Sequence, residues 1–144
     1  MIHWFYGQPG SGKTTLAKAM ISNSPQLEFK KHIHIDGDEM RTIFNNKDYS
    51  KEGRLNNLRN VNNIARFLEY KGYDVFVSVV APYNDIRDEL RDLDVNYYYV
   101  HTTETRGRED YFASDFEFND SDIKINTTNK SVTESLNEVF TIHR

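Results

Sequence analysis

The stretch GQPGSGKT, residues 7–14, constrains this chain more than any other. It follows an apolar run, IHWFY (2–6), and leads into a pattern that reads as a helix over 13–22. It matches G-x-x-x-x-G-K-[ST], the signature of a loop that wraps a nucleotide's phosphates between a strand and a helix. Successive backbone N–H groups in such a loop form a nest for an anion, and its glycines let the chain come close to the oxygens. The helix that follows points its positive end at the same place. A lysine at the position of Lys13 reaches the outer phosphates, and a threonine at Thr14 offers its hydroxyl to Mg²⁺. The expected nucleotide-binding set is Gly7, Gln8, Pro9, Gly10, Ser11, Gly12, Lys13, Thr14 and Thr15. The expected ligand is ATP, held by its β- and γ-phosphates, together with Mg²⁺.

The rest of the chain supplies the frame that such a loop needs. Five segments read as strands: 2–6, 32–36, 74–80, 96–101 and 122–128. Several are apolar on both faces, as parallel strands buried between layers are. Helical patterns lie over 13–22, 38–44, 54–70, 85–93 and 132–140. The longest carries Leu55, Leu58, Val61, Ile64, Ala65 and Leu68 on one face, and Gly72 ends it. Ser131 with Glu134 three residues on is a capping box for the last helix. Alternating strands and helices predict an α/β fold with right-handed crossovers; with the phosphate loop after the first strand, the sheet is expected to have five parallel strands in the order 2-3-1-4-5. The whole chain, 1–144, is expected to be one domain. Its irregular segment, 102–121, is too long for an ordinary connection and is expected to act as a lid or functional loop.

Composition narrows the partners. Hydrophobic residues at 38% and aromatics at 13% suffice for a core. The net charge of -4 argues against a broad nucleic-acid surface, while leaving room for a local basic pocket that takes one small anion. The absence of cysteine excludes disulfides and thiolate chemistry. No apolar stretch approaches a membrane span, and the first residues run straight into a strand, so a cytoplasmic location is expected. The expected partner is a small nucleotide substrate, with room for a homodimer.

The acceptor side is written in three further stretches. HIDGDEMR ends the second strand, where ligands gather in an open parallel sheet. Asp36 and Asp38 are therefore placed to hold the metal or to take a proton from an acceptor hydroxyl, and Arg41 suits an anionic substrate. The same residues also fit a strand-end aspartate that caps a helix, with Arg41 paired to it. Arg54 and Asn57, three apart, share a helix face and could grip a substrate phosphate, or form part of a solvated face. Residues 75–80 contain no carboxylate. Ser78 stands where many proteins with this phosphate loop carry an aspartate, which leaves Asp36 or Asp38 to serve the metal.

Together these stretches resemble the adenylylsulfate kinases. That family's pattern runs G-x-x-G-S-G-K-[ST]-T-x-A, D-G-D-x-x-R, F-S-x-x-x-R-x-x-N-[IL]-R and S-x-x-[SA]-P-Y. Here the counterparts are GQPGSGKTTLA (7–17), DGDEMR (36–41), YSKEGRLNNLR (49–59) and SVVAPY (78–83). The resemblance covers roughly residues 2–92 in order and at similar spacing. It implies transfer of the γ-phosphoryl of ATP to the ribose 3′-hydroxyl of adenosine 5′-phosphosulfate. By the same resemblance Asp38 lies near the attacking hydroxyl and, with Thr14, near the metal, while Lys13 is catalytic. Asp36, Arg41, Arg54 and Asn57 belong to the substrate site, and Tyr49 stands there in place of the family's usual phenylalanine. The family's long basic lid is shortened here to TRGREDYFASDFEFND. Arg106 and Arg108 are its remaining charges over ATP, and Phe112 its remaining aromatic for stacking the substrate adenine. Asn84 stands where the family commonly has arginine. Two rival readings stay open: a similar kinase acting on a nucleoside, a sugar or a polynucleotide 5′-hydroxyl, and a nucleotide-binding module with little turnover.

Overall fold

The computed structural model describes residues 1–104, 106, 107, 109 and 112–142. Its strands are β1 (Ile2–Tyr6), β2 (His32–Asp36), β3 (Asp74–Val79), β4 (Val95–His101) and β5 (Ile123–Asn126). Its helices are α1 (Lys13–Ser22), α2 (Gly37–Ile43), α3 (Lys51–Tyr70), α4 (Asn84–Asp88) and α5 (Val132–Ile142). A 3₁₀ turn, Pro25–Phe29, joins α1 to β2. The strands form one parallel sheet in the order β2-β3-β1-β4-β5, as the sequence predicts.

Side-chain alternation along β1 explains the two layers. Ile2, Trp4 and Tyr6 point to one face and pack with Val75, Val77, Leu58, Val61 and Ala65 under α3. Phe5 points to the other and packs with Phe76, Tyr98, Leu16 and Leu136 under α1 and α5. Each large apolar side chain fully buried in these layers stabilises the fold by about 1.5–3 kcal/mol.

Boundaries differ from expectation where caps decide them. α3 begins at Lys51, three residues before the expected start, because Ser50 Oγ accepts from the Gly53 amide at 3.3 Å. α4 stops at Asp88 and continues only as turns to Leu93. The capping box at α5 is present: Ser131 Oγ accepts from Glu134 N at 3.1 Å, and Glu134 Oε1 accepts from Ser131 N at 3.2 Å. Gly72, just past α3, has φ 89 and so ends the helix in a left-handed conformation.

The end of β1 is anchored by a buried polar network immediately before the phosphate loop. Tyr6 Oη donates to Asp122 Oδ2 at 2.7 Å and accepts from Asn119 N at 3.2 Å. Arg91 Nη2 donates to Asp122 Oδ1 at 3.0 Å. The guanidinium of Arg87, wholly buried, lies 4.0 Å from the centre of the Tyr6 ring. It also donates to the Ala81 carbonyl and to Asn84 Oδ1, and burial lowers its pKa. Arg87→Leu strands these buried acceptors, and we expect it to cost about 2–3 kcal/mol in urea unfolding.

Candidate active site

The strand order puts the carboxyl ends of β1, β2 and β3 side by side, and a cleft of about 360 Å³ opens above them. Most of the residues singled out in the sequence line it. Pro9, Gly10, Gly12, Lys13, Thr14 and Thr15 come from the phosphate loop and the start of α1. Asp36 and Asp38 come from the β2–α2 junction, with Arg41 and Tyr49 beyond them. Arg54 and Asn57 come from the first turns of α3, and Arg106 from the segment after β4.

The loop has the shape of an anion cradle. Gly10 (φ 80) and Gly12 (φ 104) adopt left-handed conformations that other residues take only with strain. Gly7 is required for a different reason, since a Cβ there would lie 2.1 Å from the Val100 carbonyl oxygen. Gly7→Ala must therefore displace the backbone of β4, and we expect a loss of at least about 2 kcal/mol, read as a fall in the urea midpoint. Lys13 is nearly buried, and its Nζ donates to the Gln8 carbonyl at 3.1 Å, over the loop's mouth.

Gln8 and Ser11 serve the loop without lining the main cleft. The Gln8 side chain pairs with the backbone of Ala113 in both directions, donating at 2.8 Å and accepting at 3.0 Å. This strap ties the phosphate loop to the segment after β4. Ser11 offers its carbonyl to Thr127 Oγ1 at 2.7 Å, which fixes the turn after β5 against the loop. Arg106 closes the same corner: Nη1 donates to the Gly10 carbonyl at 3.0 Å, and Nη2 donates to the Thr127 carbonyl at 3.2 Å and to Glu104. Glu104 in turn accepts from Asn129 N at 3.2 Å.

On the acceptor side several groups are already committed. Asp36 caps α2, its Oδ1 accepting from Asp38 N at 3.0 Å, so one carboxylate oxygen is used by the helix. Asp38 sits in the first turn of α2 and is exposed to the cleft. Arg41 stacks on Tyr49 at 4.1 Å and donates to Asn46 Oδ1 (3.1 Å) and the Asp48 carbonyl (3.0 Å). Its guanidinium thus shapes the 45–49 turn as well as facing the cleft. Asn57 is buried; its Nδ2 makes a long contact, 3.5 Å, to the Gly37 carbonyl, and its Oδ1 has no partner among the described residues. Arg54 approaches the Tyr83 hydroxyl together with Asp115, and burial raises the Tyr83 pKa.

Phe112 does not join this group. It lines a separate groove of about 70 Å³ with Gln8, Tyr99, His101 and Arg106. The Gln8–Ala113 pairing fixes the neighbouring residue beside the phosphate loop, away from Arg54 and Asn57. Arg108 lies outside the described residues.

The structure also adds residues that pattern reasoning passed over. Gly37, Leu58, Val79, Val80 and Ala81, with Ser78 and Pro82, complete the cleft wall. Ala81 has φ 39, a strained value for a residue with a Cβ, and its carbonyl is gripped by Arg87. His34 binds Ser78 Oγ at 2.9 Å, and burial keeps this imidazole below its ordinary pKa. No sequence signal marks either contact, because both depend on strand register and on a turn whose conformation is set elsewhere.

A parallel sheet in this order, with a phosphate loop after β1 and a cleft at the strand ends, defines a P-loop kinase fold. The family model for adenylylsulphate kinase matches residues 1–106, and the chain belongs to that family. It is 35% identical over 100 residues to the cytidine diphosphoramidate kinase of Campylobacter jejuni, an alignment spanning 69% of this chain and 58% of that one. It is 38% identical over 89 residues to an adenylyl-sulfate kinase of Picosynechococcus, spanning 61% of this chain and 50% of that one. The matches thus cover about half the length of these curated relatives. In three dimensions the chain resembles a Mycobacterium tuberculosis APS kinase solved with AMPPNP and APS, with a TM-score of 0.80 at 20% identity, over 99% of this chain and 96% of that one. The β5–α5 part, beyond the family match, therefore completes the same fold.

Proposed function

We propose that this chain is an ATP-dependent phosphotransferase whose acceptor is a hydroxyl of a small anionic nucleotide. The reading we favour is phosphorylation of the 3′-hydroxyl of adenosine 5′-phosphosulfate, giving 3′-phosphoadenosine 5′-phosphosulfate and ADP. The observation that carries it is a single cleft holding both halves of the reaction: the Lys13–Thr14 cradle, and the Arg54–Asn57 face of α3 beside Asp38.

The residues fit Mg-ATP. The left-handed glycines open the cradle, Lys13 supplies a cation at its mouth, and Thr14 and Asp38 offer oxygens on the same cleft. Bound there, Mg²⁺ would neutralise charge on the outer phosphates. Lys13, which donates to the Gln8 carbonyl in the structure, turns to a phosphate oxygen, an anionic acceptor that strengthens the bond. Asp38 accepts a hydrogen bond from the acceptor hydroxyl and takes its proton as the new P–O bond forms and ADP departs. Arg54 pairs with the acceptor's anionic group, and the unpartnered Asn57 Oδ1 takes a donor from the same molecule. Catalysis on this scheme is mostly positioning and charge neutralisation.

A second acceptor is favoured by two observations. The relative named for cytidine diphosphoramidate aligns over 100 residues, and Phe112 lines a groove other than the cleft that holds Arg54 and Asn57. Cytidine diphosphoramidate keeps the anionic nucleotide character with a smaller base. An ADP-release assay with adenosine 5′-phosphosulfate, cytidine diphosphoramidate and a DNA 5′-hydroxyl end decides. We expect turnover with one of the two nucleotides and none with DNA. Turnover only with DNA ends, or ATP binding without acceptor-dependent ADP release, overturns the proposal.

A further inference from the structure

The cation end of the cleft lacks a group that this fold commonly supplies. In nucleotide-binding proteins with this loop, a carboxylate on the strand beside the loop strand helps to hold Mg²⁺. In β3 the corresponding stretch, 75–80, has no carboxylate. Ser78 pairs in register with Asp36 of β2 and lines the cleft with Thr14, Thr15 and Asp36. It is only 1% exposed, so a free hydroxyl there would be costly, and the His34 ring nitrogen Nε2 holds it at 2.9 Å. Either direction of that bond leaves Ser78 Oγ at least one lone pair for a further donor.

We propose that Ser78, oriented by His34, replaces the missing carboxylate by accepting a hydrogen bond from a metal-bound water at the Mg²⁺–phosphate end of the cleft. Both are positioning residues: Ser78 acts through water, and His34 acts through Ser78. The proposal rests on the Mg-ATP reading above. It also follows from how Asp36 is used, since one of its oxygens is already bonded to the Asp38 amide. A neutral hydroxyl holds a hydrated dication less firmly than a carboxylate, so the native residue should give weaker metal binding than an acidic one.

Mn²⁺ titration of the protein saturated with AMPPNP, followed by electron paramagnetic resonance, tests this without turnover. Ser78→Ala is expected to weaken Mn²⁺ binding about tenfold, with metal-free AMPPNP affinity unchanged. Ser78→Thr should restore it, Ser78→Asp should tighten it, and His34→Ala should weaken it in the same direction as Ser78→Ala. Thermal unfolding confirms that each variant is folded, and His34→Ala provides an independent measurement if a change at the buried serine disrupts β3. Mn²⁺ affinity in Ser78→Ala within about twofold of the unaltered protein, with nucleotide binding intact, overturns this inference alone. An unaltered protein that binds no AMPPNP overturns the Mg-ATP reading and this inference with it.

Discussion

Lys13→Ala is expected to lower kcat/KM for ATP by about 10³-fold in an ADP-release assay, while leaving the fold intact. The ammonium is nearly buried at the mouth of the loop, with Nζ 3.1 Å from the Gln8 carbonyl. On the proposed reading it turns to phosphate oxygens when ATP binds, and that contact grows more favourable as charge shifts in the transition state. Deleting the side chain leaves the Gln8 carbonyl with its other partner, the Ser11 amide at 3.2 Å, so the loop keeps its internal bonding. Lys13→Arg should recover little of the loss, because a planar fork cannot occupy a point-charge position in so tight a turn. Activity of Lys13→Ala within about tenfold of the unaltered protein removes this residue from phosphoryl transfer.

Asp38→Asn is expected to keep Mg-AMPPNP binding and to cut turnover at saturating ATP by at least about 10²-fold. Asparagine preserves the shape and the backbone amide that Asp36 caps, so α2 should stay in place. On the proposed mechanism, what it removes is the ability to take a proton from the acceptor hydroxyl and a charge beside the metal. The pattern that supports this role is a fall in kcat with little change in calorimetric nucleotide affinity. Loss of nucleotide affinity with normal kcat assigns Asp38 to the metal alone, and no change in either removes it from the site.

How far the site was legible depended on which contacts are local. The shape of the phosphate loop was, because a G-x-x-x-x-G-K-[ST] run after a strand prescribes its own backbone. Asp38, Arg41, Arg54 and Asn57 could be picked out as candidates because short spacings put them at the ends of elements. That Arg41 also holds the 45–49 turn, and that Asp36 spends an oxygen on a helix cap, could be raised only as alternatives. That Phe112 lines the groove beside Gln8 rather than the main cleft was not legible, because the neighbouring Ala113 is held by Gln8, 105 residues away.

The sequence by itself determined the succession of strands and helices, the phosphate loop and the parallel sheet, since periodicity, caps and glycine placement act within a few residues. Only the tertiary structure decided that Arg87 grips Ala81, that His34 holds Ser78, and that Arg106 ties Gly10 to Thr127. Those contacts join separate elements, and their energies exist only once the sheet brings the partners within hydrogen-bonding reach.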